Sequence, residues 1–195
     1  MAYDSGFFQA YDRYLHEDVV RENHGDMFAL FDRLCVASAK RVVDLGCGIG
    51  EYFRWGRFFS YIGIDKQNHG HPGQVIQGDY LDPATFRSLP WAPTAFVSLF
   101  SVEPMLPAAK RYELYSRLFA ENPQLKCGLV SGFFYTTRTH LEIVGETGGI
   151  QSYQTLEHID EFKIPGVHEE RIVTNTPSVM FGPDVMEVWK IFARP

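Results

Sequence analysis

Arg41-Val42-Val43-Asp44-Leu45-Gly46-Cys47-Gly48-Ile49-Gly50-Glu51 decides how this 195-residue chain is read. Its first half is short, apolar and β-branched, the signature of a buried strand. Three alternating glycines stop that strand, and residues 52–59 resume with a helical pattern. A glycine turn between strand and helix lets the backbone approach a ligand closely, and the helix start offers it unpaired N–H groups. The spacing is GxGxG; the dinucleotide fingerprint GxGxxG would need a third glycine where Glu51 stands. Glu51 and Asp44 would both repel a pyrophosphate, so the loop suits a cationic ligand better.

Working outward from the loop, strands and helices alternate. Residues 61–65, 74–79, 94–100 and 125–134 read as further strands, with helices over 82–89 and 107–122. The alternation predicts a parallel sheet with helices on both faces, and ligands in such sheets bind beyond the carboxyl ends of the strands. Residues 7–38 carry helical spacing, with a break expected at 23–26 and Asp26 as cap of the second helix. Residues 135–151 read as a loop, and 152–162 as a helix capped by Ser152. Residues 170–181 and 185–193 read as a closing strand pair turned at Gly182-Pro183-Asp184.

Two acids follow the loop at matching places. Asp65 closes the second strand, 21 residues after Asp44, where a carboxylate can accept from both hydroxyls of a ribose. Asp79 closes the third strand in Gly78-Asp79-Tyr80, where a carboxylate can accept from an exocyclic adenine amine. Taken together, Asp44-Leu45-Gly46-Cys47-Gly48-Ile49-Gly50, Gly63-Ile64-Asp65, Gly78-Asp79 and the fourth strand resemble the successive motifs of class I S-adenosylmethionine-dependent methyltransferases. The resemblance covers about residues 41–105 at motif level. It implies an α/β fold: a seven-stranded, mostly parallel, doubly wound sheet whose last strand is antiparallel and lies between its neighbour and the preceding strand. On this reading 1–195 form one methyltransferase domain, with a helical N-terminal cap over 1–38 and the core over 39–195.

The resemblance further implies S-adenosylmethionine as cofactor and S-adenosylhomocysteine as product. Asp44, Gly46, Cys47, Gly48, Gly50, Asp65, Lys66, Asp79, Tyr80 and Phe100 are the expected cofactor contacts. The family often carries an acid at the start of the fourth strand, where this chain has Thr94-Ala95. The cofactor's methyl group is already electrophilic, so the protein need only exclude water and align an acceptor. Glu103 is the candidate to steer an amine or take a proton, or else a helix-cap or loop carboxylate; His140 is the second catalytic candidate. Tyr14, His24, Tyr135 and Arg138 are candidate acceptor contacts, and Tyr11 a possible lid residue, each with core packing or surface placement as the alternative.

Composition narrows the acceptor. Eighteen basic residues against 24 acidic ones leave a formal charge of −6, with no basic stripe for nucleic acid or an anionic membrane. The Asn-Pro-Pro-Tyr type segment of many enzymes that methylate nucleic acids is replaced by Ser101-Val102-Glu103-Pro104. A small-molecule N or O acceptor is therefore expected, for a monomer or homodimer. A peptide or protein acceptor, a non-catalytic cofactor-binding protein and an NAD-dependent oxidoreductase are the alternatives. His69 and His71 lack acidic or Cys partners at ligand spacing, so no metal is expected. Cys35, Cys47 and Cys127, odd in number and without a CxxC, read as reduced core thiols. No basic-then-apolar leader and no membrane-length apolar run is visible, so a cytoplasmic location is expected.

Overall fold

A computed structural model describes residues 5–35, 40–135, 141–144, 150–155, 163–177 and 185–195. Five parallel strands form its spine: β1 (Arg41–Leu45), β2 (Ser60–Asp65), β3 (Val75–Gln77), β4 (Ala95–Leu99) and β5 (Cys127–Tyr135). Two later strands complete it, β8 (His168–Pro177) and β9 (Val185–Ala193), and β9 runs antiparallel between β5 and β8. The resulting order β3-β2-β1-β4-β5-β9-β8 is the seven-stranded, mostly parallel arrangement expected, with its antiparallel last strand in the expected slot.

The inner strands β1, β2 and β4 are buried on both sides, as their near-continuous apolar runs require. On one face lie α1 (Ser5–Leu15), α2 (Asp18–Leu34) and α3 (Glu51–Trp55), packing Leu15, Phe28, Phe31 and Tyr52 against Val42, Val97, Leu129 and Trp189. On the other lie α5 (Val102–Met105) and α6 (Ala108–Glu121), packing Val102, Leu114, Tyr115 and Phe119 against Val43, Phe96, Val130 and Phe192. The period-two alternation sends Val42 to the first face and Val43 to the second. A short helix, α4 (Pro83–Arg87), follows β3; the Asp82 carboxylate caps it by accepting from Ala84 N at 2.9 Å.

Four local expectations need correction. The first helical break falls at His16-Glu17, and α2 runs unbroken through 23–26 with Asp26 inside it. Burial of Val20, His24, Phe28 and Phe31 along one face holds this stretch helical despite Gly25. Residues 141–144 and 150–155, read as loop or helix, form an antiparallel strand pair instead, β6 (Leu141–Val144) with β7 (Ile150–Thr155). β7 pairs with the end of β5 at Phe134 and Tyr135, so Ser152 lies within a strand and not at a helix start. Finally, the sulfurs of Cys35 and Cys127 are paired as a disulfide with Cα atoms 6.2 Å apart, because the end of α2 lies over the start of β5. Only Cys47 remains a free, buried thiol. The Gly182-Pro183-Asp184 turn and residues 156–162 lie outside the described residues.

Candidate functional site

The glycine loop lies where β1 ends, next to the ends of β2 and β4. Gly46 N donates to Ile64 O at 2.8 Å, which bends the chain across the top of β2. Gly46 has φ +68°, and a Cβ there would lie 1.9 Å from Ser101 Oγ. Gly48 has φ +50° and donates its N–H to Asp65 Oδ2 at 2.9 Å. The Asp65 carboxylate thus ties the loop to β2, and its second oxygen accepts from Gln67 N at 3.3 Å.

Asp79, on the adjoining strand end, accepts from Leu81 N at 2.9 Å and pairs with Lys66 Nζ at 3.0 Å. Burial works to raise this carboxyl, but the Leu81 N–H and Lys66 outweigh it and hold it below its ordinary value. Lys66 therefore serves Asp79 first. Asp44 is buried beneath the loop and accepts from Tyr61 Oη at 2.6 Å. Burial, with Glu51 and Asp65 nearby, pushes its pKa from 3.8 up to about 7 against the opposing Tyr61 hydrogen bond. Behind Tyr61, His71 Nδ1 accepts from Gly73 N at 2.8 Å, so Nε2 carries the proton and donates to Tyr61 Oη at 2.9 Å.

Asp44, Gly46, Gly48, Asp65, Lys66 and Asp79 line one pocket with Cys47, Tyr80, Leu81, Phe100, Ser101 and Met105. Helix α1 roofs it. The Phe8 ring stacks on His69 with centroids 3.9 Å apart, and its Cε1 would lie 3.1 Å from a Cβ on Gly48. Tyr11 lies beside it, buried. The floor at β4 is formed by Phe100, the single non-glycine residue with positive φ (+51°) among the described residues. Its N–H donates to Ser131 O at 3.1 Å, and its ring stacks on Phe133 at 4.4 Å, contacts that offset a strained backbone.

The fold matches solved structures across nearly the whole chain. CalS10, an amino pentose methyltransferase from Micromonospora echinaspora solved with S-adenosylmethionine, has a TM-score of 0.57 at 16% identity. The match covers 100% of this chain and 98% of that one. Magnesium protoporphyrin IX methyltransferase from Synechocystis PCC 6803 gives 0.56 at 13% identity, covering 100% and 99%. The fold is that of the class I methyltransferases. The [4+2]-cyclase SpnF shares it, with TM-score 0.58 at 14% identity over 88% of this chain and 81% of that one. No protein-family model matches the sequence, and no curated protein matches it.

Within this methyltransferase fold, the predicted site residues separate into two groups. Asp44, Gly46, Cys47, Gly48, Asp65, Lys66, Asp79, Tyr80 and Phe100 all line the pocket. Gly50 stands at the start of α3 with φ +83°, beside His71 and outside the lining. Glu103 does not face the pocket. It is buried on the opposite side, where Lys190 Nζ (3.0 Å), Arg111 Nη1 (3.3 Å) and Tyr115 Oη (2.8 Å) donate to it. Burial would raise its pKa, but Lys190 and Arg111 hold it below the usual carboxylate range. A carboxylate so engaged is a structural anchor for α5, and the catalytic expectation for Glu103 is withdrawn.

His24 and Tyr14 are also corrected, because neither lines the pocket. His24 is fully buried, with Nδ1 2.6 Å from Glu51 Oε1 and Nε2 3.2 Å from both Glu187 oxygens. Both ring nitrogens meet carboxylates, so the imidazole is charged. Burial alone would lower its pKa, but Glu51 and Glu187 raise it to about 10. Tyr11 Oη donates to Glu51 Oε2 at 2.6 Å, Tyr14 Oη donates to Glu187 Oε1, and Trp189 Nε1 donates to Glu187 Oε2 at 3.2 Å. The array clamps α1 and α2 to α3 and β9. Its members Tyr11 and Glu51 do reach the pocket wall. Tyr135 ends β5, while Arg138 and His140 lie outside the described residues.

Phe8, His69 and Glu187 were missed by sequence reasoning. Glu187 carried a signal: with Lys190 it is one of two charges in a strand otherwise made of Val185, Met186, Val188, Trp189, Ile191, Phe192 and Ala193. Phe8 and His69 carried none, because their meeting depends on how α1 folds across the sheet.

Proposed function

We propose that this protein transfers a methyl group from S-adenosylmethionine to a small-molecule nitrogen or oxygen acceptor, releasing S-adenosylhomocysteine. One observation carries the reading: a GxGxG loop tied to Asp65, with Asp79 on the next strand end, opens into a pocket whose wall is acidic. A pyrophosphate would meet Asp44, Glu51 and Asp65 there, whereas an ammonium and a sulfonium are attracted. The solved structures of this fold with bound S-adenosylmethionine support the same ligand.

Asp65 would accept from the ribose hydroxyls and Asp79 from the adenine amine. Lys66 keeps Asp79 ionised and aimed. The loop backbone and Asp44 would hold the amino-acid end. When bound, the cofactor supplies an activated methyl group. Phe8 and Tyr11 exclude water above it, and Phe100 fixes the floor against which an acceptor is aligned. No side-chain nucleophile is required, so a sparse set of titratable groups suffices.

Isothermal titration with S-adenosylhomocysteine and with NAD tests the reading. Micromolar binding of S-adenosylhomocysteine without NAD binding is expected; binding of NAD alone would overturn it. Since the same fold serves a cyclase, transfer of radiolabelled methyl to a metabolite panel then separates catalysis from binding.

A further inference from the structure

Among the described residues, the Asp44 carboxyl has one donor. Tyr61 Oη donates to Asp44 Oδ2 at 2.6 Å, and nothing donates to Oδ1. Asp44 borders the pocket, so Oδ1 is the oxygen left for a ligand. The direction of the Tyr61 hydrogen bond is set from behind. Gly73 N donates to His71 Nδ1 at 2.8 Å, so the ring carries its proton on Nε2 and donates to Tyr61 Oη at 2.9 Å. With that N–H on its oxygen, the Tyr61 hydroxyl points its own proton at Asp44. A proton on Asp44 then sits on Oδ1, the oxygen a ligand cation would meet.

Room for His71 comes from the third glycine of the loop. A Cβ on Gly50 would lie 2.7 Å from His71 Nε2, and one on Gly73 would lie 3.0 Å from His71 Cε1. Phe53, edge-on at 5.5 Å, and Tyr61, stacked at 5.4 Å, hold the buried imidazole there. The ionisable groups around Asp44 are Cys47 of the loop, Glu51 and Tyr52 of α3, and Tyr61 and Asp65 of β2. Burial pushes the Cys47 thiol and both tyrosine hydroxyls up, so these keep their protons. Glu51 is engaged by His24 and Tyr11, and Asp65 accepts from Gly48 N. Asp44 itself titrates at about 7, so near neutrality an arriving cation meets a carboxyl that is half protonated.

We propose that Tyr61 and His71 are positioning residues for the ammonium of the bound cofactor: they turn Asp44 so that its proton-bearing oxygen faces the pocket, and the ammonium displaces that proton into solvent. The assignment rests on the cofactor reading above. Calorimetry with S-adenosylhomocysteine at pH 7, in buffers of different ionisation enthalpy, counts the protons released. About half a proton per site is expected from the unmodified protein, and less than about 0.1 from Asp44→Asn. Tyr61→Phe removes the donor that favours the ionised carboxylate. It should bind S-adenosylhomocysteine at least about fivefold more weakly than the unmodified protein at pH 7, but within about twofold at pH 9, where Asp44 is ionised in both. His71→Leu should show the same pattern, with a loss of at least about twofold at pH 7.

Binding of S-adenosylhomocysteine without proton release by the unmodified protein overturns the assignment and leaves the cofactor reading standing, and that measurement needs no variant to fold. A Tyr61→Phe deficit of equal size at both pH values overturns it too, because a loss of packing alone has no such pH dependence. So does a His71→Leu protein that matches the unmodified one at pH 7. If S-adenosylhomocysteine fails to bind at all, the cofactor reading falls first and takes this assignment with it.

Discussion

Replacing Asp44 by Asn should stabilise the ligand-free protein, and by an amount that grows with pH. Asp44 is 2% exposed, and its carboxyl titrates near 7 in the fold against an ordinary 3.8. Below 3.8 both folded and unfolded chains hold the proton, and no stability is lost. Between 3.8 and 7 the unfolded chain ionises while the folded one resists, so stability falls as pH rises. Above 7 the full penalty applies, at most about 4 kcal/mol for a shift of about three units. The neutral amide of the variant escapes this penalty, and its oxygen can still accept from Tyr61 Oη. The stability gap between Asp44→Asn and the unmodified protein should therefore widen by about 2–3 kcal/mol from pH 5 to pH 8. Urea titrations of both proteins at the two pH values, without ligand, measure it. His24 and the other titrating groups are common to both proteins and cancel in the difference. A gap independent of pH, or an Asn variant that is less stable at pH 8, would refute the argument that Asp44 is held at an electrostatic cost for a cationic ligand. The same variant should bind S-adenosylhomocysteine at least about tenfold more weakly, the trade expected when a site is built against its own stability.

Three other substitutions probe separate parts of the site. Asp65→Ala should cost S-adenosylhomocysteine binding about 1.5–3 kcal/mol through the lost charged acceptor, measured by calorimetry with circular dichroism as a folding check. Gly48→Val places a branched side chain at φ +50° against the Phe8 ring; binding should be lost with the melting temperature lowered, and retained affinity would contradict the roof over the loop. His24→Leu leaves Glu51 and Glu187 facing each other without a shared cation, so unfolding free energy should drop by about 3–5 kcal/mol in denaturant titrations at neutral pH.

Strand-and-loop reading recovered the sheet because its evidence is local. Val42 to Gly50 declares a strand, a turn and a helix start within a few residues, and the Asp65 and Asp79 positions follow from the same β–turn logic. Residues 141–144 and 150–155 went astray for the opposite reason: the pairing of β7 depends on the end of β5, which the segment's own composition does not encode. Glu103 was misassigned because proximity in sequence to the end of β4 says nothing about which face it takes. Lys190, 87 residues away, decides that. His24 was noticed, but its two carboxylate partners come from α3 and β9, so only the assembled fold shows a buried cation where a surface histidine was the readier reading.

The placement of β9 between β5 and β8 bears on how the chain is made. Synthesis proceeds from the N-terminus, so β5 emerges some sixty residues before the strand that covers its edge. Until β9 arrives, nine residues of β5 present open backbone groups, and β8 lacks the neighbour to which it is registered. Glu187 and Lys190 arrive on opposite faces of that same strand, so one late insertion fills the sheet's gap and supplies a counter-charge to each side, Glu187 to His24 and Lys190 to Glu103. A nascent chain stalled before β9 would be an aggregation hazard in which both ionic clusters are still incomplete.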